Sequence, residues 1–128
     1  MERTNLSSGS KWENIVGYSR AVRIGNVIEV SGTVATDETG RVVGGISVYE
    51  QTKYILSKII AFVEKAGGTR EQIIRTRIFV TDISMWEAVG RAHGEFFREI
   101  KPATSMIEVS GLISEEYLVE IEATALVA

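Results

Sequence analysis

Leu118-Val119-Glu120-Ile121-Glu122-Ala123-Thr124-Ala125 decides how this chain folds. Read at the period of two that alternates side chains across a strand, the stretch has two characters. Val119, Ile121, Ala123, Ala125 and Val127 fall on one side, Glu120, Glu122 and Thr124 on the other. The apolar side needs a cover, and the acid-bearing side is left for a partner, a pocket or water.

Two upstream segments can supply the cover. Ser47-x-x-Glu50 is a capping box, followed at helical spacing by Val48, Ile55, Leu56, Ile59, Phe62 and Val63 and stopped by Gly67-Gly68. Ser84-x-x-Glu87 is a second capping box, opening a helix with Trp86, Val89, His93, Phe96, Phe97 and Ile100 on one side. Pro102 ends it, because the residue before a proline leaves the helical region. Arg20–Ile24 and Val27–Ala35 read as a hairpin about Gly25-Asn26, and Ile73–Thr81 and Ser105–Val109 as further strands. The expected order is ββ-α-β-α-ββ in a single domain, residues 1–128, whose polar first ten residues are loosely held.

Ile28, Val30 and Val34, then Ile74, Ile78 and Val80, then Ile107 and Val109, provide the remaining apolar sheet face. The result is a two-layer α+β domain, a mixed sheet with both helices on one face. The opposite face would carry Glu29, Ser31, Thr33, Arg75, Arg77, Phe79, Met106, Glu108, Glu120 and Glu122. Solvent suits those charges but not Phe79 or Met106. A self-associating face with internal ion pairs suits both, so an oligomer is expected.

Composition narrows the function. A formal net charge of −3 and pI near 5.3 give no electrostatic footprint for nucleic acid. Without cysteine there are no thiolate nucleophiles or Cys-ligated metals, and one histidine cannot build a His cluster, so no metal is expected. Gly40-Arg41-Val42-Val43-Gly44-Gly45 fits neither dinucleotide nor P-loop spacing, so no nucleotide cofactor is implied. The N-terminus Met1-Glu2-Arg3-Thr4-Asn5 lacks the apolar core of a signal peptide, and no apolar run approaches the ~18–20 residues of a membrane span. A cytoplasmic protein is the expectation.

Three groups of residues can carry chemistry, each with a structural alternative. Glu120 and Glu122 lie about 6.5–7 Å apart on one strand face. Adjacent carboxylates can raise one another's pKa into acid/base use; equally, each can pair with Arg75 or Arg77 in an interface. His93 is either a general base or a core histidine with its ring nitrogens bonded. Tyr18-Ser19-Arg20 and Ser31-Gly32-Thr33 gather hydroxyls near the hairpin; Ser31-Gly32 either lets a ligand approach the backbone or marks a β-bulge.

Taken in order, Gly17-Tyr18-Ser19-Arg20-Ala21-Val22, Val30-Ser31-Gly32-Thr33, Ala66-Gly67-Gly68, Ile78-Phe79-Val80-Thr81-Asp82, Pro102-Ala103 and Val119-Glu120-Ile121-Glu122-Ala123 resemble the Rid (YjgF) family of reactive-intermediate deaminases. The resemblance runs from Gly17 to Val127. It implies a chorismate-mutase-like fold, a homotrimer whose sheets close into a barrel, and small-molecule pockets at the subunit interfaces. It also implies hydrolysis of 2-imino or enamine acids to 2-keto acids without any cofactor. Glu120 falls where the family has the acid that positions or activates water. Tyr18, Arg20, Ser31, Gly32, Thr33, Trp86, Thr104, Ser105 and Met106 become the candidate ligand contacts. The match has gaps. The family's active branch has an arginine after Pro-Ala, where this chain has Thr104; Gly90 and His93 stand where it has an asparagine and a tyrosine. Threonine offers a hydroxyl and no bidentate charge. A charged hydrogen bond is worth about 1.5–3 kcal/mol, so binding of an imino acid should fall roughly tenfold to a hundredfold. Weak or absent deaminase activity is the expectation, with an active hydrolase in which Arg20 replaces the lost cation as the alternative, and endoribonuclease activity poorly supported.

Overall fold

The computed structural model describes residues 1–128. Its elements are β1 (Arg3–Leu6), α1 (Lys11–Val16), β2 (Ala21–Ile24), β3 (Val27–Thr33), α2 (Val48–Lys65), β4 (Ile73–Val80), α3 (Trp86–Phe97), β5 (Ala103–Glu108) and β6 (Val119–Leu126). The strands form one mixed sheet in the order β1-β2-β3-β6-β4-β5; only the β4–β5 pair, joined through α3, is parallel. The strand read first, β6, is thus a central strand, with Val119, Ile121, Ala123 and Ala125 at most 1% exposed under the helices. Full burial of such side chains is worth about 1.5–3 kcal/mol each for the larger ones, which is why this strand dictates the rest.

Helix α2 starts as its sequence says: the Ser47 hydroxyl accepts from the Glu50 N–H at 3.1 Å. It stops at Gly67, whose φ of +93° would strain any side-chain-bearing residue. The start of α3 differs from the reading. Ser84 does not cap it; Asp82 caps a single 3₁₀ turn, Ile83–Met85, accepting from the Ser84 N–H at 3.0 Å, and α3 continues from there. A carboxylate preceding the serine by two residues wins the orphan amide. The helix also ends at Phe97, and Arg98–Lys101 forms a closing turn in which Lys101 takes a φ of +56° before Pro102.

The N-terminal residues, read as a polar segment without elements, contain a strand and a helix cap. Arg3–Leu6 pairs antiparallel with β2, and Ser10 caps α1. Ser8 N–H and Oγ both donate to Glu13, a carboxylate only 6% exposed.

Three strands differ from the expected phase, two through an extra residue and one throughout its length. β3 carries an extra residue between Val30 and Thr33 relative to β6, so Thr33, not Val34, joins the core face. β4 has a second irregularity between Ile73 and Arg75, so Ile73 is buried and Ile74 is 49% exposed. β5 has the opposite phase: its register against β4 puts Met106 beside Ile78 on the helix side, packed on the core, and Ile107 beside Phe79 on the open face. Glu108 therefore also leaves the open face and accepts from the Ile83 N–H at 3.0 Å.

Candidate functional site

The open sheet face carries Glu29, Arg75, Arg77, Phe79, Glu120 and Glu122 as read, with Ile24, Val27, Ile107 and Leu126 38–48% exposed among them. Arg77 pairs with Glu122 at 3.7 Å, Arg75 donates to Ser105 Oγ at 3.0 Å, and Thr124 donates to Glu29 at 2.6 Å. Glu122 is therefore one of the arginine-paired carboxylates.

Glu120 is different. It forms no ion pair, lies half-buried, and has Gly32 directly against its carboxylate, so close that a Cβ at Gly32 would overlap Oε2. The register shift bears out the β-bulge reading of Ser31-Gly32, and the group that lies against the Gly32 backbone is the chain's own Glu120 carboxylate. Burial raises the Glu120 carboxyl above its ordinary value; Arg20 opposes that and Glu122 reinforces it.

Arg20 is the cation of this cluster, but only 8% exposed. Its Nη2 donates to Gly32 O at 2.5 Å, its Nε has no partner, and its guanidinium lies 5.8 Å from the Tyr18 ring. Burial lowers its pKa, while Tyr18, Glu13 and Glu120 act in the opposite sense. Glu13 is a member that sequence reading missed; the signal was an acid among serines in the supposedly loose N-terminus. Burial would raise its carboxyl, yet Ser8 and Ser7 hydrogen bonds, with Arg20, leave it lowered. Ser31 donates its hydroxyl to Ser19 O at 2.6 Å. An open depression of about 500 Å³ beside them is lined by Asn5, Glu13, Asn14, Tyr18, Ser19 and Ser31. Thr33 does not belong to the lining: it is 1% exposed and its hydroxyl donates to Ser31 O at 2.7 Å.

Thr104 and Ser105 lie elsewhere. Thr104 pairs in register with Thr76 and, through it, with Ala123, whereas Glu120 pairs with Phe79. That is three residues along the sheet, about 10 Å, and an odd number, so the two side chains leave opposite faces. Thr76, fully buried, has its hydroxyl 2.7 Å from Thr104 Oγ1 and 2.9 Å from His93 Nε2. His93 stacks tilted on Phe97 at 4.7 Å, and burial lowers its pKa. Thr76 too was missed in the sequence, although a threonine in core phase between Ile73 and Ile78 was the available clue. Trp86, 55% exposed, opens α3 beyond the far end of β4 from Thr104. One chain thus joins Tyr18, Arg20, Ser31, Gly32 and Glu120, and separately Thr104 with Thr76 and His93. No group of three or more His, Asp or Glu side chains is placed to hold a metal, and no helix is long and apolar enough to cross a membrane.

A chorismate-mutase-like α+β domain with its polar groups on the helix-free face defines the class. Residues 9–127 match the family model described as Endoribonuclease L-PSP. A RutC family protein of Pyrococcus abyssi is 36% identical over 109 residues, 84% of this chain and 84% of that protein. An uncharacterized protein of Streptomyces coelicolor is 36% identical over 120 residues, 94% and 89% of the two chains. The crystal structure of a YjgF/YER057c/UK114 family member from Mycobacterium tuberculosis superposes with a TM-score of 0.90 at 47% identity, covering 98% of this chain and 100% of that one. The YjgF gene product of E. coli gives 0.81 at 31%, covering 95% and 93%. The chain belongs to the YjgF/Rid family.

Proposed function

We propose that the chain is a cytoplasmic homotrimer that binds a small molecule in clefts between subunits and has weak or no ordinary 2-imino acid deaminase activity. The observation that carries this reading is the separation of Glu120 from Thr104 within one chain. A cleft containing both needs a second copy, and the ion-paired, partly apolar open face is suited to meet one. The absence of an arginine at 104 removes the bidentate contact for a substrate carboxylate. Arg20 is a poor substitute, because its guanidinium is buried and bonded to Gly32 O.

One observation favours a second reading, an imine or enamine hydrolase. The raised carboxyl of Glu120 is suited to take a proton from water as it adds to a C=N carbon and to return it to the departing ammonia. Endoribonuclease activity fits poorly with a net charge of −3.

Light scattering and a coupled dehydratase assay test the choice. A trimer that does not accelerate imine loss, and gains that activity with Thr104→Arg, is the expected result. Activity in the native protein that vanishes in Glu120→Ala supports the hydrolase instead. A monomer overturns the shared cleft.

A further inference from the structure

The His93–Thr76–Thr104 chain runs from an imidazole inside the helix–sheet layer to the hydroxyl of Thr104, an exposed residue on the edge strand β5. A hydroxyl has one proton to give, so this chain can be ordered in only two ways. With hydrogen on Nε2, His93 donates to Thr76, Thr76 donates to Thr104, and the Thr104 proton is free to point outward. With Nε2 bare, Thr104 donates inward to Thr76 and Thr76 to His93, and Thr104 then shows only lone pairs to its surroundings. Burial disfavours the imidazolium, which would permit only the first order, so the neutral ring keeps both open. Neither order puts a charge at position 104.

We propose that His93 and Thr76 are positioning residues that set the polarity of the Thr104 hydroxyl, making it a contact for an uncharged carbonyl or hydroxyl of the ligand rather than for a carboxylate. The inference rests on the intersubunit cleft proposed above and names the chemistry that cleft accepts. A hydroxyl tied into a chain of neutral donors offers an acceptor one proton, strengthened by its neighbours, at a cost in reordering that only a tautomer change requires. A carboxylate at the same place would lose the charge-assisted fork it is bound by elsewhere.

The single histidine makes the test direct, since every imidazole nitrogen signal belongs to His93. Full-length protein labelled with 15N-histidine is titrated with methyl pyruvate, which only accepts hydrogen bonds at its ester, and with pyruvate. The native protein should bind the ester at least about threefold more tightly, and saturation should move His93 toward the Nε2–H tautomer. Thr104→Ser should keep both effects and Thr104→Val lose both. Thr104→Arg should reverse the preference by about tenfold or more. Thr76→Val should abolish the imidazole response while ester binding persists more weakly; if that variant does not fold, the Ser and Val exchanges on the exposed strand edge still decide. A trimer that binds the ester with an unmoved imidazole, or that prefers pyruvate, overturns the relay and leaves the cleft standing. A monomer, or a protein that binds neither probe, overturns both.

Discussion

Two regions of the sheet, one at its centre and one at its β4–β5 side, handle buried polarity in opposite ways. Around Gly32 the solution is ionic: Glu120, Arg20 and Glu13 share a partly buried region, and each is shifted by burial and by its neighbours. Around Thr76 it is neutral: an imidazole and two hydroxyls satisfy one another with no charged group contributing to the histidine's shift. Charges held by bulges and backbone carbonyls are geometrically demanding, whereas a hydroxyl chain tolerates reordering of its protons. The first arrangement suits a group that must hold one position, the second a contact that must accommodate its ligand.

The contrast breaks most severely at the neutral region if its packing goes. Phe97, 2% exposed and stacked on His93, should cost about 3–5 kcal/mol as Phe97→Ala in urea unfolding. Arg20→Met, which removes the charged bond to Gly32 O but keeps much of the stem, should cost about 1.5–3 kcal/mol and, by infrared or NMR titration, raise the Glu120 pKa further.

The two regions should also oppose each other in pH dependence. Glu120 is raised in the folded state, so folded protein holds more protons than unfolded above the ordinary 4.5, and stability falls as pH rises through that window. His93 is lowered, so unfolded protein holds more protons below the ordinary 6.5, and stability falls as pH drops through that window. Unfolding followed from pH 5 to 8 should lose the first slope in Glu120→Gln and the second in His93→Gln. An unchanged profile in either variant would show that its region of the sheet does not behave as described. Arg77→Gln should change stability least, by under about 1 kcal/mol, because both partners of its ion pair are about 40% exposed. A larger loss, growing with protein concentration, would place that pair inside an assembly interface.

Legibility in the sequence followed the same divide. β6, the hairpin and α2 with its cap and glycine stop were readable because period, caps and glycines act locally; α3 was readable as a helix, but its cap and its end were not. Glu120 and Gly32 were singled out through their placement in a familiar order of motifs, and the fold brings the two against each other. The misreadings came from extra residues and from chain partners far away in sequence. Val34 and Ile74 were assigned to the core by counting in twos, and an irregularity in each strand broke the count. Met106 and Ile107 exchanged faces because β5 takes its phase from parallel pairing with β4, which alternation within six residues does not fix. The N-terminal strand was missed because polar edge strands have no apolar rhythm, and Ser84 was preferred over Asp82 because a serine box is the commoner signature.

The irregularities in β3 and β4 have a final consequence. They lie on the two sides of the same strand, β6, opposite Ile121–Ala123 and opposite Thr124–Ala125, so each neighbour carries one residue more than the stretch of β6 it pairs with there. An extra residue on one strand of a pair bends that strand and adds to its local twist. Strand length thereby becomes heritable information: deleting Gly32 alone would turn the downstream residues over and flatten the bend, while a longer surface loop would leave both untouched.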